Sequence, residues 1–402
     1  MNVLWIISDN TKSANSKIAI NLAKRMKNGH KVFCAVYSGD RQQDYSELEA
    51  VFEKVYTLGG YDSKGTQNLN TNSNWLEKSK LKKIVYLIQH APLLFAQIRR
   101  RMGKSINKCR MQLESICKEI EADAIVAIVF PSELISIIPA ANVVCKKMVV
   151  QLDPYINNAL LSSIPREKKV RKEKDLLDSI EVLFTTDLII NELDQIDRFS
   201  AKVVPIEFPE IDDEIKTRNI KFTPLLQREA DCVYLAYTGS LYKDLRNPIH
   251  LVNLLKELPQ NYKLVLAGIN TGMMREFDEC IKDRIIDLGY ISQDDVVRVL
   301  NDVDILICFN NAVSNQVPSK LFEYIETGKP FINLCQLKDC PSLPYVAGYE
   351  NSINVYTESI DAKKVKSFIE SHIGKIVPRE DIIKKYYKNT IGYVEKQIEG
   401  EL

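Results

Sequence analysis

A cation, a helix start and a carboxylate lie close together in the stretch Asn315–Pro330, NQVPSKLFEYIETGKP. Pro318 suits the first position of a helix, and a helix start offers free N–H groups and positive partial charge to an anion. Lys320 adds a full positive charge, and Glu323 follows three residues later on the same face. The pattern predicts an anion site beside a carboxylate that can accept hydrogen bonds from ribose hydroxyls. A surface ion pair between Lys320 and Glu323 fits the same residues.

A second stretch with possible phosphate chemistry is Tyr237–Pro248, YTGSLYKDLRNP. Gly239 allows the backbone to come close to a ligand. Lys243 and Arg246 could clamp a diphosphate, the arginine through a two-pronged contact. A solvated loop with two surface cations is the alternative interpretation.

Both stretches follow apolar strands in a regular alternation of strands and helices, which predicts a parallel α/β domain over residues 231–375. Ligands of such sheets bind outside the carboxyl ends of the strands, where both stretches fall. The predicted strands are Cys232–Tyr237, Lys263–Ala267, Ile285–Leu288, Asp304–Cys308 and Pro330–Leu334, and the predicted helices are Pro248–Glu257, Asp278–Asp283, Asp294–Asn301 and Ser319–Thr327.

The first half of the chain shows the same alternation, which predicts another Rossmann-like domain over residues 1–205. Its predicted strands are Val3–Ser8, Lys31–Tyr37, Ala124–Val129, Lys147–Leu152, Glu181–Phe184 and Lys202–Pro205. Residues 206–230 are polar and without a clear period, which predicts a linker. Residues 376–402 are predicted to form a helical tail. The fold class is therefore α/β with two Rossmann-like domains.

Composition excludes several classes of protein. The chain of 402 residues has 54 Lys and Arg against 53 Asp and Glu, so the balanced charge argues against a nucleic-acid partner. The nine cysteines are scattered and the four histidines are far apart, so no metal site is expected. The N-terminal sequence lacks the pattern of a signal peptide, so we expect a cytoplasmic protein.

The stretch PSKLFEYIETGKP resembles the donor-site motif of the family-four retaining glycosyltransferases, group 1 type, which have the GT-B fold. YTGSLYKDLRNP resembles their donor-domain entry loop, and the order of motifs matches over residues 232–334. The N-terminal domain matches in outline. The resemblance implies two Rossmann-like domains facing across a cleft, with the C-terminal helix crossing back to the N-terminal domain. It implies transfer of a sugar, as in the hexosyltransferases, from a nucleoside-diphosphate sugar to a glycan or lipid-linked glycan, with retention, in cell-surface polysaccharide synthesis.

The resemblance also implies roles for single residues. Glu323 would bind the donor ribose, and Asn315 stands where the family has the glutamate that contacts the transferred sugar; its amide can still hydrogen-bond a hydroxyl. The candidates for catalysis are Lys320, Arg246 and Asn315. The donor-binding candidates are Gly239, Ser240, Lys243, Tyr290, Ile291, Val317, Pro318, Ser319 and Glu323, with Tyr290 and Ile291 flanking the base.

Retaining transfer in this family is described as front-face attack, in which the departing phosphate helps to take the proton of the acceptor. Cations and a helix start stabilise the leaving diphosphate, so no metal or other cofactor is expected. Asn315 keeps open a different class, a non-catalytic nucleotide-sugar-binding partner subunit. Another GT-B enzyme, such as a nucleotide-sugar epimerase or an inverting transferase, is a further alternative.

Acceptor residues are expected on loops at strand ends of the first domain, and the candidates are Ser132, Asp153 and Tyr155. Ordinary turn chemistry fits the same loops.

From Glu77 to Lys118, eleven Lys or Arg residues stand against two Glu, around the uncharged run Ile84–Ile98. This pattern predicts reversible docking on an anionic membrane surface, so the protein would be peripheral on the inner face. A solvated basic helix pair is the alternative.

Overall fold

The computed structural model describes residues 1–8, 13–38, 45–59, 105–129, 134–158, 161–214, 223–243, 245–269 and 279–402. The chain divides into two compact units, the first formed by Met1–Ile206 with Glu395–Leu402 and the second by Glu207–Val394. Each unit is built on one parallel β-sheet. The α/β class and the two Rossmann-like sheets are confirmed.

The first unit has a seven-stranded sheet in the order β3-β2-β1-β4-β5-β6-β7. Its strands are β1 Asn2–Ser8, β2 Lys31–Ser38, β3 Val55–Gly59, β4 Ala124–Ile128, β5 Lys146–Gln151, β6 Val182–Thr185 and β7 Lys202–Pro205. Its helices are α1 Ala14–Met26, α2 Ser46–Glu49, α3 over residues 105–119, α4 Leu134–Ala140, α5 Arg166–Leu177 and α6 Asp187–Leu193. β4 and β6 are buried along their whole length because helices cover a doubly wound sheet on both faces.

The second unit has a six-stranded sheet in the order β10-β9-β8-β11-β12-β13. Its strands are β8 Val233–Thr238, β9 Tyr262–Ala267, β10 Ile285–Asp287, β11 Ile305–Phe309, β12 Phe331–Cys335 and β13 Ser352–Tyr356. Its helices are α7 Ile249–Glu257, the 3-10 helix Glu279–Arg284, α8 Gln293–Asp302, α9 Lys320–Thr327, α10 Leu343–Val346, α11 Ala362–His372 and α12 Arg379–Lys385, and α13 is Ile391–Glu399.

The described parts of the predicted linker, 207–214 and 223–230, are packed within the second unit. Phe208 stacks on Phe322 of α9 with ring centroids 5.6 Å apart. Ile211 is fully buried and forms a parallel bridge with Thr390. The polar composition of this segment predicted a linker, but the apolar side chains of Phe208 and Ile211 anchor it within the second unit.

The predicted tail divides between the units. Tyr386 donates from its hydroxyl to Tyr345 O at 2.7 Å, within the second unit. Only Glu395–Leu402 groups with the first unit. There Glu401 forms ion pairs with Lys146 and Lys202.

Candidate donor site

The strand order of the second unit reverses between β8 and β11, and the loops after these strands carry the candidate donor residues. Ligands of doubly wound sheets bind at such a switch point, outside the carboxyl ends of the strands. Gly239 and Ser240 follow β8, whereas Asn310 and Asn311 follow β11. The sequence prediction therefore falls at the end of the sheet where a ligand is expected.

Arg246 bridges the two loops at this switch point. Its Nε donates to Asn311 Oδ1 at 2.7 Å, and its Nη1 donates to the Tyr237 hydroxyl at 3.1 Å and to Ser240 O at 3.4 Å. Burial raises the pKa of Tyr237, so this hydroxyl stays neutral. Within the described part of the chain, no carboxylate forms an ion pair with Arg246. A partly buried cation among neutral partners is suited to an anionic ligand.

Asn311 is a residue of the candidate site that the sequence analysis did not name. Its side chain is 7% exposed, and besides accepting from Arg246 it donates to Gln316 Oε1 at 3.5 Å. It therefore connects the loop after β8 with the segment that precedes α9. The signal in the sequence is the pair of asparagines directly after a fully apolar strand.

Two loop backbones come into close contact beside Ser240. A Cβ atom added to Gly268, which follows β9, would lie 2.2 Å from Gly239 O. Position 268 therefore has no space for a side chain and requires glycine. Gly268 N also donates to Gly289 O at 2.7 Å, which connects this pair of loops with the loop after β10.

Helix α9 is attached to the end of β8 by one buried hydroxyl. Tyr324 Oη accepts from Thr238 N at 3.0 Å and lies 2.9 Å from Thr238 Oγ1. The helix begins at Lys320, so the prediction that Pro318 occupies its first position was wrong. Pro318 and Ser319 form a tighter turn before it, in which Leu321 N donates to Pro318 O at 3.0 Å.

The predicted pair Lys320 and Glu323 is present as an ion pair on α9. Gln293, the first residue of α8, donates from Nε2 to Glu323 Oε1 at 3.4 Å. Glu323 thus lies beside the loop of Tyr290 and Ile291, which precedes α8. The structure brings the candidates for ribose, base and diphosphate binding to one end of the sheet.

The remaining candidates differ in exposure. Tyr290 is 63% exposed, as a ring that stacks on a base would be. Lys243 is exposed as well, and Asn315 is half-buried. Val317 and Pro318 have buried side chains, so a ligand could contact only their backbone.

The acceptor candidates lie in the first unit. Asp153 follows β5 and accepts from Asn15 Nδ2 of α1 at 3.1 Å, and burial raises the pKa of its carboxyl group. Tyr155 is only 6% exposed, which suits packing more than contact with an acceptor. Ser132 and the run Ile84–Ile98 lie outside the described residues.

No group of three or more His, Cys, Asp or Glu side chains in the described ranges is arranged to hold a metal ion. None of the helices found among those residues has both the length and the apolar character needed to cross a bilayer.

Comparison with known proteins identifies the fold. No protein-family model and no curated protein matches the sequence. HepE of Anabaena, solved in complex with UDP, matches with a TM-score of 0.64 and 13% identity over 100% of this chain and 99% of that chain. Sucrose-phosphate synthase from Thermosynechococcus elongatus matches with a TM-score of 0.59 and 12% identity over 99% and 94%.

The UDP-GlcNAc 2-epimerase from Neisseria meningitidis, bound to UDP-GlcNAc, matches with a TM-score of 0.57 and 13% identity over 100% and 99%. Matches over nearly complete chains show that the protein has the GT-B fold. At these identities the likeness concerns the fold alone, and one fold supports several activities.

Proposed function

We propose that the protein is a retaining glycosyltransferase, of the hexosyltransferase type, that uses a nucleoside-diphosphate sugar as donor. The acceptor is a glycan or lipid-linked glycan. The protein acts in the cytoplasm, and the reaction is one step in the synthesis of a cell-surface polysaccharide. UDP is the favoured nucleotide because HepE and the epimerase were solved with UDP or a UDP-sugar.

The observation that carries the proposal is the environment of Arg246. A guanidinium held by Asn311, Tyr237 and Ser240 at the switch point of a doubly wound sheet supplies positive charge where ligands bind. Its described hydrogen-bond partners are neutral, so a bound anion would add an attraction that these partners do not supply. A diphosphate balances the charge of the guanidinium and matches the fork geometry of arginine.

In the proposed reaction, Arg246, Lys320 and the start of α9 stabilise the negative charge that develops on the departing diphosphate. Glu323 accepts from the ribose hydroxyls, and Asn315 orients the transferred sugar. The departing phosphate helps to take the acceptor's proton on the face that the acceptor enters. The positive groups of the protein perform the role that a divalent cation has in other transferases, so no metal or other cofactor is required.

Thermal-shift titration with nucleoside diphosphates and nucleotide sugars tests the donor proposal. Stabilisation by UDP and a UDP-sugar, but not by nucleosides without phosphate, is expected. No shift with any nucleotide at millimolar concentration would contradict it. Release of nucleotide that depends on a cell-derived glycan and glycolipid extract then distinguishes a transferase from the non-catalytic binding subunit.

An epimerase is the second candidate, favoured by the structural likeness to UDP-GlcNAc 2-epimerase. Epimerisation changes the sugar and needs no acceptor, so its product is an isomeric nucleotide sugar of unchanged mass. Incubation with the stabilising nucleotide sugar, followed by chromatography, separates the two activities: transfer releases free nucleotide, whereas epimerisation gives an isomer.

Docking on an anionic membrane surface belongs to the same proposal. It rests on the basic residues between Glu77 and Lys118, and each cation near such a surface contributes about 1 kcal/mol. We expect co-sedimentation with anionic vesicles at low salt to exceed that with neutral vesicles, and charge reversal at Arg99–Arg101 to weaken it. Equal binding to both vesicle types would contradict the membrane proposal.

A further inference from the structure

The first unit contains a buried carboxyl group that the donor chemistry does not use. Glu173 of α5 and Gln151 at the end of β5 are each 1% exposed. Gln151 Nε2 donates to Glu173 Oε1 at 2.7 Å, and the same carboxyl group accepts from the backbone N–H of Ile156. Glu173 therefore connects the end of a strand with the loop that contains Asp153 and Tyr155.

The other end of the Gln151 amide indicates which form of Glu173 is present. Gln151 Oε1 is buried and has no hydrogen-bond donor among the described residues. A buried acceptor without a donor costs about 1–3 kcal/mol. A carboxylate has no hydrogen to donate, whereas a carboxylic acid has one. A proton on Glu173 would supply the donor that Gln151 Oε1 needs.

We propose that Glu173 holds a proton on Oε2 and forms a two-point acid–amide pair with Gln151, and that this pair makes Glu173 a positioning residue for the Asp153–Ile156 loop. In the pair, each side chain donates one hydrogen bond and accepts one. The statement that the loop serves an acceptor rests on the proposed function, whereas the proton and the pair do not.

The charged groups around Glu173 agree with this assignment. Burial is the main cause that raises the pKa of Glu173 to about 7, and Glu192 of α6 raises it further. Lys169, one turn earlier on α5, and the hydrogen bonds from Gln151 and Ile156 lower it. Tyr155 faces the same carboxyl group, and burial keeps its own pKa above the ordinary value.

The sign of the pH dependence follows from the two states of the loop. The loop is closed when the pair with Gln151 is formed, and Glu173 then has a pKa of about 7. When the loop opens locally and exposes Glu173 to water, the pKa of its carboxyl group approaches the ordinary value of 4.5. The pair stabilises the closed loop fully below pH 4.5 and is lost as pH rises towards 7. Protection of the loop should fall by up to about tenfold per pH unit in this window and level off above it.

Three variants separate the pair from simple packing. Glu173→Gln keeps both hydrogen bonds, because its amide donates to Gln151 Oε1 and accepts from Nε2, but it cannot titrate. Glu173→Leu fills similar space and removes both bonds. Glu167→Gln removes an exposed carboxylate from the same helix and is the control.

Hydrogen–deuterium exchange of peptides covering residues 152–158, measured from pH 5 to 8 and corrected for intrinsic rates, tests the pair without any ligand. Wild type and Glu167→Gln should lose protection between pH 5 and 7. Glu173→Gln should remain protected across the range, and Glu173→Leu should be weakly protected throughout. The same pH profile in wild type and Glu173→Gln, or a flat profile in wild type, would overturn the proton assignment.

The role towards an acceptor has a separate readout. With the glycan and glycolipid extract as probe, the amount that gives half-maximal nucleotide release should rise between pH 5 and 7 in wild type but stay constant in Glu173→Gln. Unchanged dependence in both would show that the loop does not serve the acceptor. Failure of nucleotides to stabilise the protein would contradict the proposed function alone, since the exchange result does not depend on it.

Discussion

At the scale of single residues, the donor proposal depends most directly on Arg246. Its hydrogen bonds to Asn311, Tyr237 and Ser240 fix the guanidinium without neutralising it. A structural arginine differs in a measurable way. Arg284 is buried and donates to the carbonyls of Tyr262 and Leu258 at 3.0 and 3.1 Å, which satisfies backbone acceptors at the start of β9 and the end of α7.

We expect Arg246→Met to weaken binding of UDP or a UDP-sugar about 10- to 150-fold, because a hydrogen bond to a charged group contributes about 1.5–3 kcal/mol. The melting temperature without ligand should fall as well, because the buried Asn311 Oδ1 and Ser240 O lose a hydrogen-bond donor. Arg284→Met should lower the melting temperature and leave affinity unchanged. Calorimetric titration measures the affinity, and thermal unfolding measures the melting temperature. Equal affinity for the nucleotide in Arg246→Met and wild type would contradict the proposal that Arg246 binds the diphosphate.

Two glutamates of α9 provide a matched pair for the ribose assignment. Glu323 pairs with Lys320 near Gln293, whereas Glu326 accepts from Arg379 Nη2 at 3.1 Å and from Asp212 N at 3.3 Å. Glu323→Ala should weaken nucleotide-sugar binding with little change in melting temperature. Glu326→Ala should do the reverse, because it removes the ion pair of a mostly buried arginine, Arg379. Loss of stability without loss of affinity in Glu323→Ala would assign it a structural role only.

At the scale of elements, the ends of β8, β9 and β10 form one surface because their loops touch. The contact between Gly268 and Gly239 leaves no space for a side chain. Tyr324 attaches α9 to Thr238 at the end of β8. The geometry of the candidate donor site in the second unit therefore depends on loops that fix each other.

Gly268→Ala should displace the Gly239 backbone and cost about 1–3 kcal/mol, the usual cost of forcing extra volume into a packed site. We expect a lower melting temperature together with weaker nucleotide binding. Gly29→Ala is the control, since a Cβ there meets no atom within 4 Å. If Gly268→Ala binds UDP as wild type does, the loop contact does not shape the donor site.

At the scale of the whole molecule, each unit has its own doubly wound sheet, and the two sheets carry different chemistry. The second unit presents cations and a helix start, whereas the first contains carboxyl groups, at Asp153 and Glu173, whose pKa values are raised by burial. The last residues of the chain, Glu395–Leu402, belong to the first unit. There Glu399 Oε1 lies 3.5 Å from His30 Nε2.

Because protein cations take the place of a metal in the proposed reaction, nucleotide binding and turnover should be the same in EDTA as in buffer. Loss of both in EDTA, restored by Mg²⁺ or Mn²⁺, would contradict this prediction. Arg246→Met assayed with added Mg²⁺ is the informative control: rescue would show that the arginine and the ion fulfil one role.

The sequence by itself determined the α/β class, most strands and the stretches that carry the candidate donor residues. Hydrophobic periodicity and turn residues are local signals, and Lys320 and Glu323 are only one helical turn apart, so their pairing follows from spacing. The same signals located the start of α9 one or two residues too early, at Ser319 or Pro318, because a proline permits a helix start without requiring it at that residue.

Only the tertiary structure decided which distant residues meet. Arg246 and Asn311 are 65 positions apart, and Gln151 and Glu173 are 22 apart on a strand and a helix. Neither contact has a local signal, because each depends on the order of strands in a sheet. The sequence did not predict the burial of Glu173, because this residue lies in a helix rich in charged residues. Packing against the end of β5 removes its carboxyl group from water, and this burial is what favours a proton on the group.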